Sequence, residues 1–523
     1  QRVVVIGAGP IRIGQGIEFD YGCVHAVGAI RDMGHEAIII NNNPETVSTD
    51  FDTSDRLYFD PLTLESVSEV LLREKAHGIL LQFGGQTAIN LALPLADNLT
   101  YLSSLGLHLI MEGTSPDAVD EASDRERFVA FAARNGLRMP RGLTATTPDE
   151  VRQAAHEIGY PVLIRPSYVL GGRGMEILSN NKQLEAYMEE AYLAPDRPLL
   201  IDEYLGNATE LDVDAVCDGD SVLIGAIMEQ LEEAGIHSGD STCFIPPQNV
   251  PAHVLAEVED WTRRIGIELG IKGCFNIQYA IRDEVLHVLE VNPRGSRTFP
   301  FVAKATGVPL ARIAARLALG DKLSELNVPE PQTEAVCVKA PVFPFIKLRG
   351  LDPAPGPEMK STGEVMGSHV RPAAAYLKAR LATELPVPTE GGVYITVKDA
   401  DKLAIIDEAR RLQDLGFTLY ATRGTAHVLR DVGGLDVQTC YRIAERRTPD
   451  ALDLMRQGKI HLVINTPRLT GGAVLDGNMM RRLAVELIIP FVTTMAGAHM
   501  EVEAIYEAMK GMPEPRLLEI GSL

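Results

Sequence analysis

Short β-rich runs alternate with helical stretches at both ends of this 523-residue sequence, but not in its middle. Such runs occupy residues 2–6, 36–40, 78–82 and 107–110 near the start, and residues 393–397, 418–420 and 461–464 near the end. Strands that alternate with helices in this way are typical of parallel α/β layers. The sequence therefore predicts two parallel α/β domains, at residues 1–115 and 390–523.

The middle of the chain follows a mixed α+β pattern. The predicted elements of residues 116–325 are a helix from Asp124, a strand over 161–165 and a hairpin over 211–226. Residues 326–389 are rich in Pro and Gly, with a helix over 373–381, and are expected to form a connector packed on the preceding domain. The expected fold class is a multidomain α/β and α+β protein.

The charge of the chain argues against two broad classes of function. Its 71 acidic and 49 basic residues give a net charge of -22, which disfavours binding along nucleic acid or a membrane surface. No window approaches the ~20 uninterrupted apolar residues of a membrane span, and the N-terminus lacks the layout of a signal peptide. We expect a cytoplasmic protein without nucleic-acid or membrane partners. Its beginning at Gln1, directly before a strand, suggests a piece of a longer polypeptide.

Residues 274–294 carry three oxygen-bearing side chains that a hairpin would bring together. Glu290 and Asn292 stand two apart on a β-rich run, so both side chains project from the same face of the strand. Gln278 lies on the preceding run, and the break at residues 282–284 predicts a turn that places it roughly opposite them. Carboxylate and amide oxygens suit Mg²⁺ carried on nucleotide phosphates, whereas Zn²⁺ would require His or Cys.

Two arginines follow this hairpin and strengthen the interpretation. Arg294 and Arg297 would supply positive charge where the phosphates of a bound nucleotide collect. The alternative is an ordinary β-hairpin whose polar residues face water. The Glu-x-Asn pair alone would favour that alternative, but Gln278 and the two arginines together favour a metal–nucleotide site.

The glycine-rich segment at residues 7–16 follows the first strand and superficially matches a dinucleotide fingerprint. However, Arg12 occupies the third glycine position, and residues 41–43 are all Asn where an acidic residue would be needed to bind a ribose. Packing is therefore the favoured role for this segment, and binding of a small anion is the alternative.

A second glycine-rich segment, at residues 165–175, is a candidate for binding a polyphosphate. Gly171 and Gly172 let backbone amides approach phosphate, and Arg165 and Arg173 add positive charge. The segment lacks the Gly-Lys-Ser/Thr ending of a P-loop, and an exposed glycine turn is the alternative.

Two further positions are weaker candidates. The run at residues 199–205 could offer backbone hydrogen bonds to an adenine, and Glu210 beyond it could bind ribose hydroxyls, although acidic loop residues are usually only solvated. His237 stands among small polar residues, which favours a ligand-facing loop, but a lone His in a loop is more often structural.

Several long motifs occur in one order along the chain. They are RIGQGIEFDY at 12–21, NPETVSTD at 43–50, RPSYVLGGR at 165–173, HSGD at 237–240, EVNPR at 290–294 and STGEVMG at 361–367. Through these motifs essentially the whole chain resembles the C-terminal half of the carbamoyl phosphate synthetase large subunit. The resemblance implies a pre-ATP-grasp domain at 1–115, an ATP-grasp domain at 116–325 and a methylglyoxal-synthase-like allosteric domain at 390–523.

In that family this half phosphorylates carbamate with ATP, the last step of carbamoyl phosphate synthesis from bicarbonate, glutamine or ammonia and two ATP. The product feeds pyrimidine and arginine synthesis. The implied cofactors are ATP, two Mg²⁺ or Mn²⁺ ions, and K⁺. The implied partners are a small glutaminase subunit, an N-terminal half that is fused or separate, and further copies in an oligomer.

The resemblance also implies roles for individual residues of the nucleotide site. The metal ligands are Gln278, Glu290 and Asn292. The arginines that contact phosphates or carbamate are Arg125, Arg165, Arg294 and Arg297, of which the last three are the catalytic candidates. The other nucleotide contacts are Gly171, Gly172 and Arg173 at the phosphates, the backbone of Glu203 and Leu205 at adenine, Glu210 at ribose, and the loop around Glu210 and His237 at K⁺.

In the allosteric domain the resemblance implies a nucleotide effector such as UMP or IMP, bound by Lys402, Thr422, Thr425, Arg442 and Asn465. Arg442 replaces a lysine of some relatives, and Pro467 replaces an expected threonine, which removes a hydroxyl donor. Glu232 and Asp240 match acidic residues that ornithine-activated relatives carry. Ala340 stands where another carboxylate would be, which weakens the case for ornithine.

There are two alternatives, one a related enzyme and the other a protein of a different functional class. Another ATP-grasp carboxylate-amine ligase, or a biotin carboxylase, would share the chemistry but does not predict a methylglyoxal-synthase-like tail. The chain could instead be an effector-binding and assembly segment that is catalytically silent in isolation.

Overall fold

The computed structural model describes residues 1–166, 174–190, 198–347, 352–467 and 472–518 of the chain. Its first part contains β1 (Arg2–Ile6), α1 (Ile17–Asp32), β2 (Glu36–Ile40), β3 (Arg56–Tyr58), α2 (Leu64–Glu74), β4 (Gly78–Leu80), α3 (Gly85–Ile89), α4 (Ala92–Ser104) and β5 (Ile110–Glu112). The five strands form one parallel sheet in the order β3-β2-β1-β4-β5. Val3, Val4 and Val5 of β1 are fully buried, as expected for a central parallel strand covered on both faces.

The last strand of this sheet begins later than the predicted run at 107–110. Residues 106 and 107 instead complete the C-terminal cap of α4, where the N–H of Leu107 donates to the carbonyl of Leu102 at 3.0 Å. Gly106 has a φ of +87°, the left-handed backbone that commonly ends a helix. The cap occupies the residues that would otherwise have started the strand.

The second part combines helices with antiparallel strands. Its helices are α5 (Pro116–Ser123), α6 (Arg125–Arg134), α7 (Pro148–Ile158), α8 (Asn181–Glu190), α9 (Ala252–Glu268), α10 (Phe299–Thr306) and α11 (Leu310–Ala318). Its strands are β6 (Gly142–Ala145), β7 (Val162–Pro166), β8 (Glu176–Leu178), β9 (Leu199–Glu203), β10 (Thr209–Asp218), β11 (Val222–Gln230), β12 (Cys243–Ile245), β13 (Lys272–Arg282) and β14 (Val285–Asn292). The predicted helix does begin after Asp124, whose carboxylate caps it by accepting the N–H of Arg127 at 2.9 Å.

These strands form two sheets, and the segment after residue 326 adds to one of them. Its elements are β15 (Val336–Val342), β16 (Gly363–His369) and α12 (Pro372–Ala382). The small sheet has the order β6-β9-β7-β8, and the large one has the order β14-β13-β10-β11-β12-β15-β16. The segment predicted to be a connector therefore supplies two strands to the sheet of the preceding part.

The last part is again a parallel α/β layer. Its elements are β17 (Gly392–Thr396), α13 (Ile405–Asp414), β18 (Thr418–Thr422), α14 (Arg423–Asp431), β19 (Val437–Cys440), α15 (Ala451–Arg456), β20 (Leu462–Asn465), α16 (Gly472–Glu486), β21 (Phe491–Val492) and α17 (Met495–Lys510). The strand order is β19-β18-β17-β20-β21, with every pair parallel. Among the described helices, none is both long and apolar enough to cross a membrane.

A buried ion pair joins this layer to the segment before it. Glu501 of α17 is fully buried and accepts bonds from the Arg380 guanidinium of α12 at 2.9 and 3.2 Å. The Tyr376 hydroxyl donates to the same carboxylate at 3.0 Å. Because one carboxylate satisfies both partners in the interior, the contact between α12 and α17 depends on it.

Removing the Glu501 carboxylate should strongly destabilise the protein. Glu501→Ala leaves the Arg380 charge buried without its partner, so we expect the free energy of unfolding to fall by about 3 to 5 kcal/mol in urea denaturation. The control is Arg371→Ala, which removes a half-exposed guanidinium 3.0 Å from Glu507 but leaves Glu507 paired with Lys510, and it should cost about 1 kcal/mol at most. Equal losses in the two variants would contradict this account of the contact.

Candidate functional site

The β13–β14 hairpin has the register that the sequence predicts. Gln278 of β13 pairs with Glu290 of β14, and Asn276 pairs with Asn292. A bulge leaves Leu289 without a pairing partner next to Glu290, and such irregularities re-aim neighbouring side chains. The turn passes through residues 283 and 284, both with positive φ, which matches the right-handed twist of a tight hairpin.

Three of the predicted residues are in direct contact at the end of this hairpin. The Asn292 amide donates to the Glu290 carboxylate at 2.9 Å, and its oxygen accepts from the Arg294 guanidinium at 3.2 Å. Arg294 also donates to the Gln86 side chain at 3.2 Å, and its guanidinium lies 5.8 Å from the centre of the Phe19 ring. The hairpin end is therefore in contact with the first α/β layer.

Two more predicted arginines meet on one carboxylate. Asp202 of β9 accepts from Arg125 at 2.5 Å and lies 3.3 Å from Arg165. Arg165 also extends to within 3.9 Å of the Glu290 carboxylate, so it bridges the small sheet and the hairpin. Burial lowers the pKa of Arg125. The structure thus brings Arg125, Arg165, Glu290 and Arg294 together, whereas Gly171, Gly172 and Arg173 lie outside the described residues.

Gln278 lies beside this cluster, but a different segment of the chain holds its side chain in place. Its amide donates to the Ser238 hydroxyl at 3.1 Å, beside His237. The His237 ring accepts the N–H of Gly239 at 3.0 Å and caps a short 3-10 turn. Desolvation lowers the pKa of His237 to about 4, so the ring is neutral near pH 7. These contacts give His237 a structural role in shaping the loop beside Gln278.

Arg297 is placed apart from the other arginines. Its guanidinium pairs with Glu18 of the first α/β layer, and both side chains are nearly buried. A second nitrogen of Arg297 lies 2.7 Å from the Met359 sulfur. The structure therefore does not bring Arg297 onto Arg165 or Glu290, and instead uses its charge to join three segments of the chain.

The predicted adenine and ribose positions border the turn between β9 and β10. Glu203 is bound by Arg282 at 3.2 Å and lies 3.5 Å from Arg141, while Leu205 is buried. Glu210 is buried and accepts the N–H of Gly235 at 2.7 Å. Burial, with a further contribution from nearby carboxylates, raises the pKa of Glu210 to about 8.

The sequence interpretation missed two buried aspartates on the same strand. Asp212 and Asp214 share the amide of Asn276, which lies 3.0 Å from Asp214, and Thr298 donates to Asp214 at 2.7 Å. Burial, and then the charge of Asp214, raises the pKa of Asp212 to about 7. The sequence does contain a signal for these aspartates, because the acidic residues at 210, 212 and 214 are spaced by two and so share one face of a strand.

The glycine-rich segment after β1 packs against the end of β2. The N–H of Gly9 donates to the Asn41 side chain at 3.1 Å, and its carbonyl accepts from Asn43 at 3.2 Å. Gly9 has a φ of +75°, and a β-carbon on Gly7 would collide with Asn41. These contacts agree with the packing role expected for the segment.

A separate cavity of about 250 Å³ lies at the carboxyl ends of β17, β18 and β20. All five predicted effector residues line it, namely Lys402, Thr422, Thr425, Arg442 and Asn465. We call it the effector cavity. Thr422 occupies the N-cap position of α14, and Gly424 and Thr425 of the first turn of that helix line the cavity together with Lys402.

A second cavity, of about 320 Å³, lies between the large sheet and the last α/β layer. Glu232 lines it and accepts the N–H of Thr242 at 2.6 Å, and desolvation raises the pKa of Glu232 to about 7. Asp240 is fully buried and accepts two backbone N–H groups at 2.7 and 3.0 Å. Ala340 is buried and contributes no polar group.

Models of three known domains match the chain in order. They are the carbamoyl phosphate synthase preATP-grasp domain over residues 1–121, the carbamoyl-phosphate synthase L chain ATP binding domain over 124–326, and an MGS-like domain over 404–493. The C-terminal section of the carbamoyl phosphate synthase large chain of Methanocaldococcus jannaschii is 50% identical over 528 residues, covering 98% of this chain and 83% of that protein. This chain belongs to the carbamoyl phosphate synthase large-chain family.

The large-chain match extends to longer relatives. The carbamoyl phosphate synthase large chain of Methanothrix thermoacetophila is 51% identical over 513 residues, which cover 98% of this chain and 47% of that protein. The chain thus spans about half the length of such relatives. The resemblance to this large chain is confirmed.

Solved structures support the fold of the first two parts. A biotin carboxylase domain from Hydrogenobacter thermophilus, described in complex with MgADP, ADP and bicarbonate, matches with a TM-score of 0.51 at 20% identity, covering 65% of this chain and 74% of that one. An N5-carboxyaminoimidazole ribonucleotide synthetase, described as an ADP complex, matches with a TM-score of 0.55 at 13% identity, covering 73% and 96%. With the domain matches, they confirm the predicted fold class of pre-ATP-grasp, ATP-grasp and methylglyoxal-synthase-like domains.

The raised pKa of Glu210 gives a stability difference that depends on pH. The folded protein keeps a proton on Glu210 that the unfolded chain has released between pH 4.5 and about 8. Wild-type stability should therefore fall relative to Glu210→Gln across that window, by at most ~1.4 kcal/mol per pH unit. Urea denaturation of both proteins at several pH values measures the difference.

The matched control is Glu69→Gln, at an exposed position of α2. Its stability curve should run parallel to that of the wild type. A Glu210→Gln curve that is also parallel would show that the carboxyl does not hold its proton in the folded protein.

Proposed function

We propose that this chain phosphorylates carbamate with ATP to form carbamoyl phosphate, the last step of carbamoyl phosphate synthesis. The observation that carries the proposal is the cluster at the end of the β13–β14 hairpin, where Asn292 contacts both Glu290 and Arg294, and Arg165 lies 3.9 Å from Glu290. Membership in the large-chain family supplies carbamate as the acceptor, because nothing in the cluster itself selects that acceptor.

The donor set fits a divalent ion that is bound together with nucleotide phosphates. Among the described residues, no three His, Cys, Asp or Glu side chains form a metal-binding group of their own. Glu290 is one carboxylate between two amides, those of Gln278 and Asn292, which is too little negative charge for a dedicated cage. These three residues would hold Mg²⁺ or Mn²⁺, and the ion would neutralise charge on the transferred phosphoryl group.

The arginines would perform the rest of the chemistry by position and charge. Arg294 and Arg165 flank Glu290 and can bind the anionic oxygens of the γ-phosphate and of carbamate. A carbamate oxygen then attacks the γ-phosphorus directly and ADP leaves, so no covalent enzyme intermediate is needed. Fixed cations act where charge develops, so the transfer needs no nucleophile–base pair.

Further assignments in the nucleotide site follow from the same family match. Glu203 and Leu205 would border the adenine, Glu210 the ribose, and Arg125 the phosphates, with Gly171, Gly172 and Arg173 completing the phosphate loop. K⁺ would bind beside Glu210 and the His237 loop. Arg297 would act by tying the hairpin to Glu18 and so fixing the position of Arg294.

The complete synthesis would require partners in the cytoplasm. We propose that the N-terminal half of the large chain, fused or separate, makes the carbamate, and that a small glutaminase subunit delivers ammonia. The half-length match to the large chain of Methanothrix thermoacetophila supports a missing N-terminal half. An oligomeric state is proposed on the same grounds.

A second proposed function is regulation by a nucleotide at the effector cavity. A phosphate group would lie at the N-terminus of α14 and accept from Thr425, with Lys402 adding positive charge. Asn465 and Arg442 would contact the rest of the ligand. UMP and IMP are the candidates to test.

The test of the catalytic proposal is ATP formation from ADP and carbamoyl phosphate by the purified chain with Mg²⁺ and K⁺. Glu290→Gln removes the only carboxylate of the proposed metal set while keeping its size. We expect the turnover rate to fall at least ~100-fold, with the melting temperature unchanged.

The control for this experiment is Glu284→Gln, on the exposed turn of the same hairpin. It should keep wild-type turnover. Turnover at the wild-type rate in Glu290→Gln would refute the metal assignment, and a wild-type chain without any activity would favour an assembly segment that is silent in isolation.

The effector proposal is tested by calorimetric titration of UMP and IMP. Thr425 is buried and lines the cavity, and Thr425→Ala removes its hydroxyl, so we expect the better ligand to bind about tenfold more weakly. Thr418→Ala, at the exposed start of β18, is the control and should bind normally. Unchanged affinity in Thr425→Ala would place the ligand elsewhere.

A further inference from the structure

Lys398 connects the effector cavity to the ATP-grasp domain. Lys398 lines the cavity, and its ammonium group lies 2.7 Å from the carboxylate of Glu233, in the loop after β11. The same ammonium group lies 3.9 Å from Asp401. Lys398 and Glu233 thus form an ion pair between the last α/β layer and the large-sheet domain.

Glu233 belongs to a short segment that borders the proposed nucleotide site. We call residues 231–237 the nucleotide loop. Two residues beyond Glu233, the N–H of Gly235 donates to Glu210 at 2.7 Å. The carbonyl of Ala234 accepts from the Tyr204 hydroxyl at 3.0 Å, and Tyr204 lies between the two residues assigned to adenine. A shift of Glu233 would therefore reach the groups proposed to hold ribose and adenine.

The last α/β layer holds the start of the same loop as well. The Thr494 hydroxyl, at the N-terminus of α17, donates to the carbonyl of Leu231 at 3.3 Å. The loop is thus fixed at its first residue, and Glu233 extends from that fixed point towards the effector cavity. Movement of Lys398 would therefore displace the part of the loop between Leu231 and Gly235.

A second path leaves the effector cavity and reaches the other end of the loop. Asn465 accepts from Arg481, whose guanidinium binds the Asp352 carboxylate at 2.8 and 2.5 Å. Asp352 begins the described segment that includes Gly356, and the carbonyl of Gly356 accepts the N–H of His237 at 3.0 Å. The nucleotide loop is therefore joined to residues that line the effector cavity at two places, at Glu233 through Lys398 and at His237 through the Asp352 segment.

We propose that the Lys398–Glu233 ion pair couples the effector cavity to the nucleotide loop, and that an anionic ligand in the cavity competes with Glu233 for Lys398. The inference rests on the proposed effector site and adds its means of action. An anion in the cavity draws the Lys398 ammonium group towards itself, and Glu233 loses its partner. The nucleotide loop is then released at its middle while Leu231 and His237 remain held.

Reciprocity sets the sign of two measurable effects. If the ligand and Glu233 compete for one ammonium group, removing the Glu233 charge must tighten ligand binding in the effector cavity. The two side chains are 22% and 34% exposed, so the gain should be about two- to fivefold. Any effect of the ligand on the affinity for MgADP must shrink in the same variant, because that effect is transmitted by the pair.

The experiment compares wild type with Glu233→Gln by calorimetric titration. UMP and IMP are titrated into each protein, and MgADP is titrated with and without a saturating amount of the better ligand. In the variant we expect tighter binding of the better ligand by about two- to fivefold, and loss of the shift in MgADP affinity that the wild type shows. Glu507→Gln is the control, since it removes another ion pair between the same parts of the chain without lining either cavity.

Three results would overturn the inference. Equal ligand affinity in wild type and Glu233→Gln would show that the two anions do not compete. An MgADP shift that survives in the variant, or that is equally lost in Glu507→Gln, would place the coupling elsewhere. Failure of both UMP and IMP to bind the wild type would remove the effector site and this inference together, while ATP formation from carbamoyl phosphate, measured without effector, would still decide the catalytic proposal.

Discussion

The antiparallel pairing of β13 with β14 on one side and β10 on the other is the constraint on which the nucleotide site depends. It sets Gln278 opposite Glu290 and, on the other edge, opposite Asp212. A slip by one residue would turn every side chain of β13 to the opposite face, moving Gln278 into the core and Ile277 out of it. The fully buried Ile277 and Tyr279 oppose such a slip, because both would lose their packing. Apolar residues that take no part in the chemistry thus fix the geometry of the polar ones.

The same pairing concentrates acidic groups in the interior, and this sets the electrostatics of the site. Glu210, Asp212 and Asp214 project from one face of β10, and burial raises the pKa of each. The charge of Lys339 lowers the pKa of Asp212 and Asp214, but by less than burial raises it. A site in this condition gains most from bound cations, which supports the proposal of divalent ions and K⁺ beside the nucleotide.

Local patterns in the sequence were enough to predict the hairpin, whereas the effector residues were expected only from the family resemblance. The break at residues 282–284 marked the turn, and the strand period then placed Gln278, Glu290 and Asn292. The five effector residues reach one cavity because they follow the carboxyl ends of parallel strands, where ligands of such layers commonly bind. In both cases secondary structure brings the residues together, but only for the hairpin did sequence periodicity predict it.

Contacts between distant segments could not be predicted in this way. Arg297 pairs with Glu18, 279 residues earlier in the chain, and no local pattern distinguishes that partner from a bound phosphate. Asp202, which gathers Arg125 and Arg165, was not identified because a single acid on a strand end is unremarkable in sequence. The two strands within 326–389 were missed because Pro and Gly dominate the segment, although its β15 and β16 complete the large sheet.

The link between the effector cavity and the nucleotide loop follows from how that sheet ends. β12 and β15 bring the last α/β layer against the loop after β11, so Lys398 can reach Glu233 without a long side-chain path. A partly exposed ion pair contributes little to stability, and its weakness suits a regulatory contact, because a bound anion can replace it at small cost. The buried pair between Arg380 and Glu501 cannot be exchanged in this way, since removing either partner leaves a charge in the interior. One contact between the layers thus holds them together, while the other is weak enough for a ligand to control.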